Sequence, residues 1–249
     1  MINNISSIKN EIRLCLFGGE PTLHPDIYDI TKNLNNKKIN IELQTNLSLH
    51  SDLLTKLIKT RNISDFNVSL HYGIVNKNLF KQNVVILFKY QQAYKYNIVI
   101  NLMYEREYHD EILTDYKLYN NLMRKMKLKN SNVGVSLVYH KRANEIKDEY
   151  NEKEIEMSHN SYNPNIYVEY ENGKHEWDTF FRLKGKGQYN FKGYICECVN
   201  KNLYIDSNGD LYPCQTYYRY LKEKIGNMND ENIFEKIKST KYIICKSSF

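Results

Sequence analysis

Gly18-Gly19-Glu20-Pro21 follows directly on an apolar, β-branched and aliphatic stretch at 12–17. Two glycines let a backbone approach a ligand closely and take up dihedrals that a Cβ would forbid. Glu20 puts a carboxylate at the carboxyl end of a strand, where ligands bind in parallel α/β sheets. A carboxylate fixed there can hold a ligand ammonium group. Pro21 removes a donor and stops the strand. A second set of candidates lies late in the chain: Cys196 and Cys198, then Cys214, then Cys245. Between them Asp206-Ser207-Asn208-Gly209-Asp210 is a strong turn signal. Thiolates on either side of a tight hairpin can converge on one metal or cluster. Zinc suits the same thiolates as iron does, and merely buried thiols are the remaining alternative. His71 could act as an acid, a base or a polar contact, or play a structural part, whereas His24 reads as a loop residue.

The elements that must position these groups come from periodicity. Short strands are expected at 12–17, 39–45, 65–71, 97–103 and 133–138, at about the 30-residue spacing of a βαβ unit. Helical patterns at 25–34, 51–59, 78–94 and 116–126 separate them, with Ser51-Asp52 as a cap for the second. Such alternation implies a parallel sheet with right-handed crossovers. One face of the strands is almost wholly aliphatic, as in Ile39, Ile41 and Leu43 or Ile98, Ile100 and Leu102. The other carries Arg13 and Cys15, Asn40, Glu42 and Gln44, Asn67, Ser69 and His71, and Asn101. A doubly wound sheet, with helices on both sides, needs two apolar faces. A polar second face fits instead a curled sheet lining the cleft of an open (β/α) barrel. A charged helix is expected at 141–156 and a linker at 160–165. Short strands follow at 166–169, 202–206 and 211–213, then a helix at 231–239. These elements place a domain boundary at 157, with residues 1–157 forming the barrel and 158–249 a smaller, cysteine-containing region.

Composition bounds the function. The 249 residues are 41% hydrophobic with a mean hydropathy of −0.64, and no apolar run is long enough for a membrane helix. The polar first ten residues lack a signal-peptide core, so a reducing, cytoplasmic setting is expected. Five cysteines, an odd number, argue against a disulfide framework. The net charge of +6 is spread in short clusters such as Arg124-Lys125-Met126-Lys127. That pattern is a solvated helix face rather than a nucleic-acid surface.

The Gly18-Gly19-Glu20-Pro21 string on this strand pattern resembles the radical S-adenosylmethionine (SAM) superfamily, in which the motif holds the amino group of SAM. The resemblance implies an α/β fold, a partial (β/α) barrel of the radical SAM type with its first βα unit missing. Thr45-Asn46 looks like a pair that closes the next strand in that family. Ser69, His71, Asn101 and Tyr139 fall where it contacts the rest of SAM. The late pattern resembles the twitch or SPASM extension. It runs from Cys196-Glu197-Cys198 through Leu211-Tyr212-Pro213-Cys214 and Ile225-Gly226-Asn227 to Cys245. In that extension such cysteines bind auxiliary iron–sulfur clusters. The resemblance therefore implies reductive SAM cleavage to modify a peptide or small-molecule substrate, supplied by an electron donor.

One motif of that family does not occur. Its catalytic 4Fe–4S cluster is held by Cys-x-x-x-Cys-x-x-Cys upstream of Gly-Gly-Glu-Pro, and no such spacing exists in this sequence. Cys15 lies within a strand and cannot replace three loop thiolates. As given, the chain is expected to be catalytically incomplete. The alternative from a different class is a non-catalytic binding or scaffold protein with a degenerate SAM pocket and structural zinc or no metal. A basic RNA-binding module is the third reading.

Overall fold

The computed structural model describes residues 12–34, 39–137, 150–160, 166–169, 173, 175–178, 192–193, 195–196, 203–214, 217–240 and 243–244. The chain divides into two compact units, the larger built mainly from residues up to Thr179 and the smaller mainly from Phe180–Phe249. In the larger unit the order is β1 (Ile12–Leu16), α1 (Ile27–Asn33), β2 (Ile39–Thr45), α2 (Ser51–Lys59) and β3 (Ile63–His71). It continues with α3 (Lys77–Tyr94), β4 (Asn97–Tyr104), α4 (His109–Lys125), β5 (Ser131–Leu137) and α5 (Glu152–Asn160). A short antiparallel hairpin, β6 (Ile166–Glu169) with β7 (His175–Asp178), completes the described part.

Strands β1 to β5 form one parallel sheet in sequence order. Each crossover returns beside its predecessor, the connectivity of a (β/α) barrel wall rather than of a doubly wound sheet, whose order reverses partway. The aliphatic face is the core. Ile39, Ile41, Leu43, Phe66, Val68, Leu70, Ile98, Ile100, Leu102, Val133, Val135 and Leu137 are all buried. Leu54, Leu57 and Ile58 of α2 and Phe80, Val84, Leu87 and Phe88 of α3 are buried with them. Each such side chain contributes roughly 1.5–3 kcal/mol on leaving water. The opposite face stays polar and half-buried, with Glu42, Gln44, Asn67, Ser69, His71 and Asn101 all partly accessible.

Two boundaries differ from expectation, one of them through a bulge. Strand β3 starts at Ile63 rather than 65, because the register shifts between Ile41 and Glu42 and leaves Ser64 as an extra residue. Such a bulge breaks period-two alternation, which is what the eye follows in a sequence. Helix α4 starts at His109, seven residues before the expected 116. The cap of α2 is His50, whose Nδ1 accepts from the Asp52 backbone amide at 3.4 Å. Ser51 is the first helical residue instead, and its hydroxyl is used elsewhere. Of the charged helix expected at 141–156, only the part from Glu152 is seen, continuing to Asn160, and residues 141–149 lie outside the described segments. Among the described residues no helix is long and apolar enough to cross a membrane.

The smaller unit is made of very short strands. They are β8 (Ile195–Cys196), β9 (Tyr204–Ile205), β10 (Asp210–Tyr212), β11 (Gly226–Asn227) and β12 (Ile243–Ile244), with α6 (Ile233–Ser239) before the last. Strands β9, β10 and β11 form one antiparallel sheet, and β8 pairs with β12.

Candidate functional site

Gly18 and Gly19 both have left-handed φ, +93° and +56°, and among the described residues nothing lies within 4 Å of where a Cβ would stand on either. The glycines therefore serve the turn and leave open space above the backbone. Glu20 follows in extended conformation and caps a one-turn 3₁₀ helix, Pro21–Leu23, with Pro21 in the first helical position. Proline fits there because its φ is right and its missing N–H has no partner to lose.

The Glu20 carboxylate is held by four donors. Its Oε1 accepts from the Thr22 amide (3.1 Å), the Thr22 hydroxyl (2.6 Å) and the Thr45 hydroxyl (2.7 Å). Its Oε2 accepts from the Asn46 amide at 2.7 Å. A carboxylate offers about four lone-pair directions, so Oε1 is saturated and Oε2 keeps one. Thr22 and Thr45 are buried and Glu20 is half-buried. The result is a preorganised anion at the carboxyl end of the sheet with one acceptor direction left. An anion so held is chemically suited to a ligand ammonium. His24 is exposed, its Nδ1 accepting from the Asp26 amide, a loop role as expected.

Ser69, His71 and Asn101 occupy the polar face at the same end. Ser69 is in register with Asn101, and His71 with Met103. Asn101 also donates to Asn67, one layer deeper. Burial lowers the His71 pKa against the opposing pull of the Glu105 carboxylate, so the imidazole is neutral near pH 7. Tyr139, expected on the same rim, lies outside the described residues.

Below the rim, the same face is a charged network. Arg13 Nη2 reaches Glu42 at 2.9 Å and Asp65 at 3.6 Å, and Asn97 donates to Asp65 at 2.8 Å. Gln44 donates to Glu42 and to the Cys15 sulfur (3.3 and 3.4 Å). Burial, then the neighbouring Glu42 carboxylate, pushes the Cys15 thiol up to about 12. Cys15 is a single thiol within β1, and one thiol does not supply the three thiolates that a catalytic 4Fe–4S cluster takes.

In the smaller unit the turn forms as expected. Asp206 Oδ1 accepts from the Asn208 and Asp210 amides (2.9 and 3.0 Å), and Gly209 has φ +81°. The chain then returns along β10 to Cys214, which is half-buried and unoxidised. Ile225-Gly226-Asn227 supplies the third strand. A Cβ on Gly226 would come within 2.6 Å of the Ile233 side chain and 2.8 Å of the Asp230 carboxylate, so both would have to shift to admit one. Cys196 lies opposite Ile243 in the β8–β12 pair, and the Tyr217 hydroxyl donates to the Ile244 carbonyl at 2.9 Å. Topology thus draws the backbone at Cys196, the segment after Cys214 and the residue before Cys245 into one place. Cys198 and Cys245 lie outside the described residues. Among the described ones no three His, Cys, Asp or Glu side chains gather as a metal site.

Sequence reasoning found Glu20 but missed Thr22, although a threonine two residues after a capping carboxylate is a readable signal. At Asn46 it is the backbone amide rather than the amide side chain that makes the contact with Glu20.

Residues 196–247 match the SPASM family, an iron–sulfur cluster-binding domain. A comparison with curated protein sequences returns no match. Among solved structures, Streptococcus suis SuiB overlays with a TM-score of 0.50 at 19% identity, over 90% of this chain and 55% of that one. SuiB bound to S-adenosylmethionine overlays with a TM-score of 0.51 at 17% identity, over 89% and 53%. Archaeal TYW1 overlays with a TM-score of 0.37 at 18% identity, over 66% and 55%. The chain spans about half the length of the SuiB structures it matches. The chain thus shares the fold of the SuiB structures, with a five-stranded parallel sheet followed by a region that matches the SPASM iron–sulfur cluster-binding domain.

Proposed function

We propose that the larger unit binds S-adenosylmethionine, with Glu20 taking its ammonium group, as part of radical chemistry on a peptide or small-molecule substrate. One observation carries this reading: a carboxylate fixed by four hydrogen bonds that keeps a single open acceptor direction beside two glycines with free space above them. SAM supplies a carbon–sulfur bond whose reductive cleavage starts such reactions. Ser69, His71, Asn101 and Tyr139 are the further contacts proposed on the rim, His71 as a neutral hydrogen-bonding imidazole. Cys196, Cys198, Cys214 and Cys245 are the proposed ligands of an auxiliary iron–sulfur cluster, supported by the family match across them. Thiolate ligands suit a reducing, cytoplasmic setting, with an electron donor as partner. Reductive cleavage itself requires a Cys-x-x-x-Cys-x-x-Cys cluster that this sequence does not hold. The chain by itself is therefore expected to bind SAM only weakly and not to cleave it.

Titration calorimetry under anaerobic conditions tests the reading. Wild-type protein should bind SAM, and Glu20→Gln should weaken binding about tenfold or more, the range for losing a charge-assisted hydrogen bond. Equal affinities would overturn the assignment of Glu20. Reconstitution with iron and sulfide, followed by reductant and SAM, should give iron in the protein but no 5′-deoxyadenosine. Zinc without iron or sulfide in the purified protein would favour the scaffold reading instead.

A further inference from the structure

Asn83 on α3 is wholly buried and satisfied in an unusual direction. Its Nδ2 donates to the carbonyls of both Leu47 (3.0 Å) and Leu49 (2.9 Å), and its Oδ1 accepts from the Ser51 hydroxyl (2.8 Å). One amide thus grips the loop after β2 from two sides. The gripped segment is strained: Leu47 has a φ of +55°, a left-handed conformation that a side chain with a Cβ rarely adopts. In that conformation the Leu47 amide donates to the Thr45 hydroxyl at 3.0 Å. The Thr45 hydroxyl in turn donates to Glu20 Oε1, and the intervening Asn46 amide donates to Oε2.

From this geometry we infer that Asn83 is a positioning residue, latching the loop after β2 so that Thr45 and Asn46 aim the Glu20 carboxylate. The consequence for ligand rests on the ammonium reading above; the latch itself does not. Without the Asn83 amide, Leu47 would relax to an ordinary φ and carry the Thr45 hydroxyl and the Asn46 amide off the carboxylate. Glu20 would keep only its local bonds to Thr22, which leave its outer oxygen free to swing. Strain held at a position by surrounding structure is a recurrent means of fixing functional groups.

Two measurements test the latch. In hydrogen exchange, Asn83→Leu should speed the Asn46 and Leu47 amides at least about tenfold while the amides of β3 stay protected. In calorimetry, Asn83→Leu and Thr45→Val should each weaken SAM at least about tenfold. They should change 5′-methylthioadenosine, which lacks the ammonium, by less than about twofold, and Thr45→Ser should restore the wild-type affinity. Equal loss for both ligands would mean that the loop only supports the fold, and would overturn the inference. So would unchanged exchange at Asn46. Thr45→Val keeps side-chain volume and stays informative if Asn83→Leu fails to fold. A wild-type chain that binds no SAM would sink the ammonium reading alone, and exchange would then decide the latch by itself.

Discussion

Tyr119 has a hydroxyl that is fully buried and has no hydrogen-bond partner among the described residues. Its ring packs edge-on to Phe80 at 6.3 Å, so the aromatic body is useful and the polar atom is not. An unsatisfied buried hydroxyl costs about 1–3 kcal/mol of desolvation, so Tyr119→Phe should be neutral or stabilising by about 1 kcal/mol in urea denaturation. Cys15 offers a second residue-level check. With its thiol pushed up to about 12 by burial and by Glu42, it stays protonated at pH 8. Iodoacetamide should therefore label Cys15 far more slowly than a free peptide thiol, as mass spectrometry would read. Glu42→Gln should speed that labelling. At this scale the sequence disclosed Glu20, because glycines and a proline flag the turn that presents it. Asn83 was invisible, since its value lies in carbonyls 34 and 36 residues away.

Among the elements, α5 is fixed to the rim by a carboxylate. Glu154 accepts from Arg106 through both oxygens (2.8 and 2.9 Å), from the Tyr104 hydroxyl (3.0 Å) and from the Asn151 amide (2.7 Å). Arg106 foremost, then the Asn151 amide and the Tyr104 hydroxyl, hold its carboxyl down at about 2 against the cost of burial. Because the folded value lies below the ordinary 4.5, this stabilisation is complete above about pH 4.5 and is lost as pH falls through 2. Glu154→Gln should cost about 1 kcal/mol at neutral pH, discounted because solvent reaches Arg106. The deficit relative to wild type should shrink between pH 4.5 and 2 in denaturant titrations. A deficit that stayed constant across that range would dissociate α5 from the ion pair. The sheet's strands were legible because period-two alternation survives wherever one face is buried. The start of β3 and the two-residue strands β8, β11 and β12 were less so, the first hidden by a bulge and the others too short to show any period.

At the scale of the molecule, the two units differ in what holds them. The larger has an aliphatic core to which four strands and four helices contribute. In the smaller, the described buried apolar residues are Leu211, Tyr212, Tyr217, Met228 and Ile233, and no described strand exceeds three residues. Tyr204 and Tyr218 stack at 4.4 Å with Tyr212 set edge-on, a compact cluster but a small one. Strands that short do not persist alone, and units of this size ordinarily need a metal or disulfides to stay folded. The match of residues 196–247 to an iron–sulfur cluster-binding domain makes a cluster the staple proposed above. Removing the metal from reconstituted protein by oxidation and chelation should therefore speed exchange of the amides at 204–212 and 225–228 at least about tenfold, since metal binding and folding are one equilibrium in such units. Amides of β2, β3 and β4 should not change. Cys214→Ser should reproduce the effect without any chelator. Protection retained at 204–212 after the metal is gone would show that the tyrosine cluster suffices, and the cysteines would then lose their claim to a structural role.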